Sequence, residues 1–293
     1  MSKKNPWQDS NPRDEELVDM YVMADRYVPR FALGLQRTIN AAAIVYGAIV
    51  RDSLDQYYSA YAAFAGLASD PRRLDAWAPL TAVVESTITE IVTESTGLEL
   101  NRLRLIIKQA PAEVLEYAAT RSADLVTAIG EGQRNALRTI ITDGVAAGKA
   151  PRVVAKQIKT LGIGLAEKGP HTYSRLARYR QAQIDAGVRP ALVERRTAKF
   201  CEKLLKDRAE SIARTEMIAA QNIGVLDAWN TGVRTGLVMP TAVKEWIAGV
   251  ARTCSICVDL DGERVPLNET FSIGTMSPPA HPQCRCTMGL VTV

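Results

Sequence analysis

RFALGLQRTINAAAIVYGAIVRDSLDQYYSAYAAFAGL, residues Arg30–Leu67, decides the fold class. Phe31, Leu35, Ile39, Ala42, Tyr46 and Ile49 recur at spacings of three or four, so they fall on one side of a 3.6-residue helix. The many alanines favour close approach, to an internal neighbour or to a partner helix. The spacing therefore predicts one long amphipathic helix over Arg30–Leu67. Asp70-Pro71 ends it, because the residue before a proline is pushed out of the helical region.

Working outward, the same periodicity continues on both sides. Leu17, Val18, Tyr21 and Val22 form one helix face, and the polar stretch 1–14, with Pro6 and Pro12, reads as a disordered arm. That stretch lacks the apolar core of a secretory signal. A helix from Pro71 or Asp75 to about Ser95 is expected to stop at Gly97. Pro111 opens another, striped by Leu115, Ala118, Ala119, Ser122, Leu125, Val126 and Ile129 and resuming at Leu137, Ile140 and Ile141, until Gly148. A short helix from Pro151 carries Val154, Ile158 and Leu161, and Gly162, Gly164, Gly169 and Pro170 mark a loop. Helices over Tyr173–Ala186 and Pro190–Trp229 follow. After Gly232 the pattern changes to short strands around Leu237, Val238, Trp246, Ile247 and Val250, with Asp261-Gly262 as a hairpin turn between Leu260 and Val265.

The expected fold is thus mainly α: a long-helix body followed by a small α+β C-terminal module. The expected divisions are an arm over 1–14, a helical body over 15–147, a basic helical segment over 148–232 and the module over 233–293. Of 293 residues, 47% are hydrophobic and 23% charged, which suits a packed globular chain. No run of 18 apolar residues lacks a charge, so no membrane-crossing helix is expected. Net charge is +4, but residues 151–214 carry fifteen basic and six acidic side chains. Arg175, Arg178, Arg180, Arg195 and Arg196 in that stretch are candidates for contact with a nucleic-acid backbone or an acidic partner, or simply a solvated face.

Four of the five cysteines lie in the last 40 residues. Cys254-Ser-Ile-Cys257 is a C-x-x-C knuckle, and Pro278-Pro-Ala-His281-Pro-Gln-Cys284-Arg-Cys286 closes the chain segment. Thiolates and imidazole are soft ligands, and zinc is the usual occupant of such sets. Five candidates, Cys254, Cys257, His281, Cys284 and Cys286, compete for four tetrahedral places. His281 with Cys284 is the most natural second chelate, with Cys286 able to replace either. A closed four-ligand site favours structure over catalysis, and a metal tie supplies folding energy to a module too small for a large core. Disulfides formed outside the cell are the competing reading. Upstream, Ala213-Arg214-Thr215-Glu216 sits on an amphipathic helix, with Glu210 and Arg214 spaced as a surface ion pair, Ile212, Ala219 and Ile223 on its buried side, and Ser211, Thr215 and Asn222 on a polar one.

In order, the A-R-T-E helix, Asn222, Trp229, the lysine–aromatic strand Lys244-Glu-Trp246, the T-C-x-x-C knuckle, the Leu260-Asp261-Gly262 turn and the closing P-P-x-H-P-x-C-R-C run resemble the phage Mu protein F-like family of minor head, or head morphogenesis, proteins. The resemblance covers about 195–293 and, more weakly, 148–163. It implies a structural role in head assembly at the portal or capsid interior, with the portal protein, the major capsid protein or both as partners, and in some phages departure with the DNA; packaged double-stranded DNA is the further partner that the basic stretch 151–214 suggests. It implies residence in the virion, with the host cytoplasm as the place of assembly and no membrane in the assembled head. It carries the five Cys/His residues over as metal-type residues and Arg214, Thr215, Glu216, Trp246, Asp261 and Gly262 as a structural signature. An enzyme, such as a toxin or nuclease, is the rival class. The chain shows no Glu-x-Glu pair, no phosphate-binding P-loop and no nucleophile elbow, and its two histidines are His171 and His281, so no catalysis is expected.

Overall fold

The computed structural model describes residues 12–56, 59–102, 171–250 and 253–291. Between 103 and 170 it describes 116, 119–121, 124, 131, 137–138, 140–147 and 149–160. The chain is mainly α, with a small strand-containing region at its C-terminal end, as expected. Among the described residues, the helices with defined ends are α1 (Pro12–Gln56), α2 (Ala60–Ser69), α3 (Arg72–Arg102), α4 (Pro151–Thr160), α5 (His171–Asp185), α6 (Pro190–Arg234) and α7 (Ser255–Leu260). The strands are β1 (Val243–Ile247), β2 (Arg264–Pro266) and β3 (Thr287–Val291).

All six residues of the opening stripe, Phe31 to Ile49, are buried. The single helix expected over Arg30–Leu67 is instead two. Ser59 is extended, and its side chain accepts from the Ala62 N–H, capping a separate α2. The helix also starts earlier, at Pro12, where the missing proline N–H costs nothing, so residues 12–14 of the expected arm are helical and 1–11 lie outside the described residues. Near its start the buried face is Leu17, Met20, Met23, Ala24 and Tyr27, while Val22 is exposed, so the first stripe was assigned a rotated face. Pro29 and Pro79 sit inside α1 and α3 with their rings exposed, where water can reach the carbonyls they leave unbonded. By length and composition part of α1 could cross a membrane, contrary to the sequence expectation. Its apolar side is the buried stripe just described, as in a core helix.

Asp70 does end α2 in an extended conformation before Pro71. Gly97 does not end α3, which runs on to Arg102. Tertiary contacts override the stop signal: Glu99 accepts from the Trp229 indole N–H at 2.7 Å, and Arg102 pairs with Asp19 and Glu99. The stripe expected from Leu115 to Ile129 lies almost wholly outside the described residues, as do Leu161, the Gly162–Pro170 loop and Gly148. Leu137, Ile140, Ile141, Val154 and Ile158 are buried as their spacing requires. The α6 helix passes the expected Trp229 end and stops at Gly236, whose φ of +75° allows the Leu237 N–H to reach back to the Gly232 carbonyl.

Two compact units result. One comprises 1–30, 85–121 and 210–293, the other 31–84 and 122–209. The second unit packs Tyr46, Ile49, Val50 and Leu54 against Leu67, Ile140, Val154 and Ile158. In the same unit α5 and the N-terminal part of α6 form a helical hairpin, with Tyr179 stacked on Phe200 at 4.3 Å. The first unit holds a three-stranded antiparallel sheet of order β2-β1-β3. Lys244 faces Val265 on one side of β1 and Leu290 on the other. Leu237, Val238 and Val250 are not strand residues, and Asp261-Gly262 is not a hairpin turn. It turns the chain from α7 into β2, with Gly262 at φ +82° and the Asp261 carboxylate accepting from the Ala248 N–H. The misreading has a simple cause: Leu260 is buried as the last residue of a helix, not as a strand residue.

The core of this unit joins Trp229, Trp246, Phe271, Leu260, Leu267 and Met288 to three cysteines. Trp246 meets Phe271 edge-on at 5.0 Å. Lys244 is fully buried, donates to the Leu267 carbonyl at 3.1 Å and lies 5.4 Å from the centre of the Phe271 ring; burial lowers its pKa to about 8.

Two glycines test the helix packing with opposite signs. A Cβ on Gly224 would stand 2.7 Å from the Ser95 Cβ and 2.8 Å from the Val92 carbonyl oxygen, so Gly224→Ala should cost about 1–3 kcal/mol. Gly97 lies in a helix with open space around its Cβ position, so Gly97→Ala should stabilise by about 0.5–1 kcal/mol. Urea denaturation of both variants measures this. Shifts of the same sign would contradict the packing described.

Candidate metal centre

The knuckle forms because Cys254 caps α7. Its backbone is extended, and its sulfur accepts the Cys257 N–H at 3.5 Å, which turns the chain so that both sulfurs face one side. That hydrogen bond is the leading cause of a lowered Cys254 pKa. His281 arrives from the loop before β3. Its Nδ1 donates to the Pro282 carbonyl at 2.9 Å, which leaves the Nε2 lone pair facing sulfur. Nε2 lies 3.1 Å from the Cys254 sulfur and 3.3 Å from that of Cys257. Burial opposes the charged imidazole, but the Pro282 carbonyl with Cys284 and Cys254 outweigh it and raise the pKa.

The Cys257 and Cys284 sulfurs are 3.7 Å apart. Two sulfurs at about 2.3 Å from one tetrahedral ion are separated by about 3.8 Å, so this spacing fits a shared zinc. Cys284 is held at about 5, chiefly by a hydrogen bond from the Cys286 side chain, against the penalty of burial. Cys257 is pushed up to about 12 by burial. The hydrogen bond to Cys284, followed by burial, raises Cys286 strongly. All five cysteines, Cys201 included, are free thiols.

The five candidates form two overlapping triads, Cys254–Cys257–His281 and Cys257–Cys284–Cys286, each with its ligand atoms within 4.8 Å of one another. One cavity of about 20 Å³ is lined by all five together with Gly249, Thr253, Gln283 and Arg285. That volume is enough for a single ion or water among the five ligand atoms. The donor set, soft and convergent, fits zinc, with His281 oriented through its second nitrogen as metal-bound histidines are.

The signature residues are placed around this cluster rather than in it. The Thr215 hydroxyl donates to the Ser211 carbonyl and accepts from the Gln283 N–H at 3.0 Å, so α6 holds the loop between His281 and Cys284. Gln283 takes φ +61°, uncommon for a residue with a side chain. The helix is not the amphipathic surface helix expected. Glu216 is buried and receives two 2.6 Å hydrogen bonds from Arg121. Asn222, fully buried, donates to the Ile218 carbonyl and accepts from the Thr287 hydroxyl. Ile212 and Ala219 are buried, Ile223 half-buried. Arg214 is half-buried, and with Arg285 its charge offsets part of the burial that raises the Tyr21 pKa. Trp246 belongs to the core, and Asp261 and Gly262 to the turn.

Sequence reasoning missed Gln283, Arg121, Thr287 and Gly249. The last carries a readable signal: a glycine just before a knuckle, where a Cβ would stand 2.5 Å from the Arg285 carbonyl oxygen. Arg175, Arg178, Arg180, Arg195 and Arg196 lie in the other unit, exposed on the α5–α6 hairpin, with Arg180 bonded to Glu194 and Arg196 to Gln183.

Thr215→Val should weaken zinc binding about tenfold by freeing the loop between two ligands, whereas Thr215→Ser should keep it. Competition with a chromophoric chelator measures both. Equal affinities for parent and valine variant would remove Thr215 from the support of the site.

The comparisons with known proteins agree with this picture at the level of family. No curated protein and no solved structure gives a significant match. Residues 135–289, more than half of the chain, match the family model described as Phage Mu protein F like protein. That span takes in α4, α5, α6, β1, β2, the start of β3 and the whole Cys/His cluster, and the chain is a member of the phage Mu protein F-like family.

Proposed function

We propose that this protein is a minor structural component of a phage head, acting in head morphogenesis at the portal or capsid interior, and that its C-terminal module is a zinc-tied adaptor rather than a catalyst. Family membership points to phage head morphogenesis. The observation that carries the finer reading is the convergence of five soft ligands on a space of about 20 Å³, enough for an ion and lined by the thiol and imidazole donors that a closed structural site uses. Zinc supplies a redox-inert tetrahedral cross-link there. The protein's own residues do the rest. Cys254 and Cys257 rigidify the start of α7, His281 and Cys284 anchor the loop entering β3, and Thr215 seats that loop on α6.

A second reading has its own support. The five exposed arginines of the α5–α6 hairpin, with Lys199 and Lys203 also exposed on α6, add positive charge that suits a DNA backbone. It predicts sequence-blind, strongly salt-dependent binding to random duplex; loss of all binding at physiological salt removes it.

Two outcomes are expected. Chelation of zinc from the full chain should open residues 248–291 to limited proteolysis while helices α1 and α3 stay protected. Unchanged cleavage on chelation would contradict a structural ion. Quantitative mass spectrometry of virions should count this protein at far fewer copies than the major capsid protein, and a drop after triggered DNA release would make it an ejected component. Its absence from both procapsids and virions would overturn the head assignment.

A further inference from the structure

Among the described residues, one buried side-chain amide lacks a partner. Gln221, on α6, is 3% exposed, and its side-chain oxygen accepts no hydrogen bond from the protein. Buried carbonyls are rarely left so, because each gives up the bond it had with water. Three positions further along α6, Gly224 presses against α3, with its Cβ position 2.7 Å from the Ser95 Cβ. Beside that crossing lies a cavity of about 20 Å³. Its polar wall is Asp19 of α1, Ser95, Glu99 and Arg102 of α3, Gln221 of α6 and Thr287 of β3, and four apolar side chains complete it. All of these belong to the first unit.

The hydrogen bonds already made decide what the cavity can hold. The Ser95 hydroxyl gives its proton to the Ile91 carbonyl at 2.6 Å, and the Thr287 hydroxyl gives its proton to Asn222 at 3.1 Å. Glu99 already accepts from the Trp229 indole at 2.7 Å and from Arg102 at 3.2 Å, and Asp19 accepts from Arg102. What the wall still offers at Gln221, Ser95 and Thr287 is lone pairs, so the occupant must be a donor. The volume is that of one water, and a polar gap with several partners is the kind that water fills. A cation would meet the Arg102 guanidinium on the same wall, and like charges repel.

We propose that this cavity is a binding site for a single water, which donates one proton to the Gln221 oxygen and the other to the Ser95 hydroxyl oxygen. The water bridges α6 to α3 on the side of the Gly224 crossing that faces β3. It extends the contact between the two helices to Thr287, the strand residue entered directly from Cys286. It also explains how a glutamine is kept at a fully enclosed position of α6 without a protein partner.

The first test is a high-resolution crystal structure of the full chain, from crystals grown with sodium and again with rubidium. One water peak should lie about 2.7–3.2 Å from Gln221 Oε1 in both. Anomalous scattering from rubidium at that peak would overturn the proposal in favour of a cation site. So would a site without density, or a Gln221 amide turned to donate to Glu99 or Ser95. The second test is urea unfolding of the parent, Gln221→Met, Ser95→Ala and the double variant. A shared water couples the two changes by about threefold or more in the unfolding constant, and smaller coupling overturns the bridge. The cycle subtracts the Ile91 bond that Ser95→Ala also loses.

Discussion

The contact between the C-terminal half of α6 and the loop that delivers His281 and Cys284 is the constraint on which the module depends. Three strands of three to five residues cannot bury enough apolar surface to hold themselves together. The sheet is completed from outside its own strands. Trp229 of α6 enters its core, Asn222 bonds Thr287 at the start of β3, and Thr215 takes the Gln283 N–H. Each of these comes from one helix, so its rise per residue sets the spacing between core, strand and metal loop. The Cys/His cluster then ties the far side, where α7 and the loop before β3 meet. Packing and coordination divide the work: α6 covers one face of the sheet's core, and the cluster secures the connections that the strands are too short to fix.

The polar residues of that helix follow from the same arrangement. A buried carboxylate or amide is costly unless every strong acceptor and donor is met. Glu216 is met by two guanidinium N–H groups of Arg121, and Glu99 by the Trp229 indole and Arg102. Asn222 uses both ends of its amide. Such bonds contribute little net energy, but the alternative registers of α6 would leave charges buried without partners. The row therefore specifies how the helix seats more than how strongly it binds.

How much of this was legible in the sequence depended on whether the deciding partner was near in the chain. The stripe from Phe31 to Ile49 was readable because periodicity alone reports a buried face. The helical class and the Asp70 break were readable for the same local reasons, and the convergence of Cys254, Cys257 and His281, distant in the chain, was readable from ligand chemistry instead. Gly97 misled because its stop signal is outweighed by Glu99 and Arg102, whose partners lie at Trp229 and Asp19. The A-R-T-E segment read as a surface helix because Arg121 and Gln283, which explain Glu216 and Thr215, are far away in sequence. Asp261-Gly262 carried a sound turn signal, but turn chemistry does not say whether a strand or a helix precedes it.

The first unit is discontinuous: stretches around Asp19, Glu99 and Arg121 belong with residues 210–293. An excised C-terminal piece, even one covering all of 135–289, would leave those partners behind. Glu216 would lose Arg121, and Trp229 would lose Glu99. The most recognisable part of the chain is therefore not a portable domain. Grafting it onto another protein would transfer the ligands and the strands without the counter-charges that let its helix be buried.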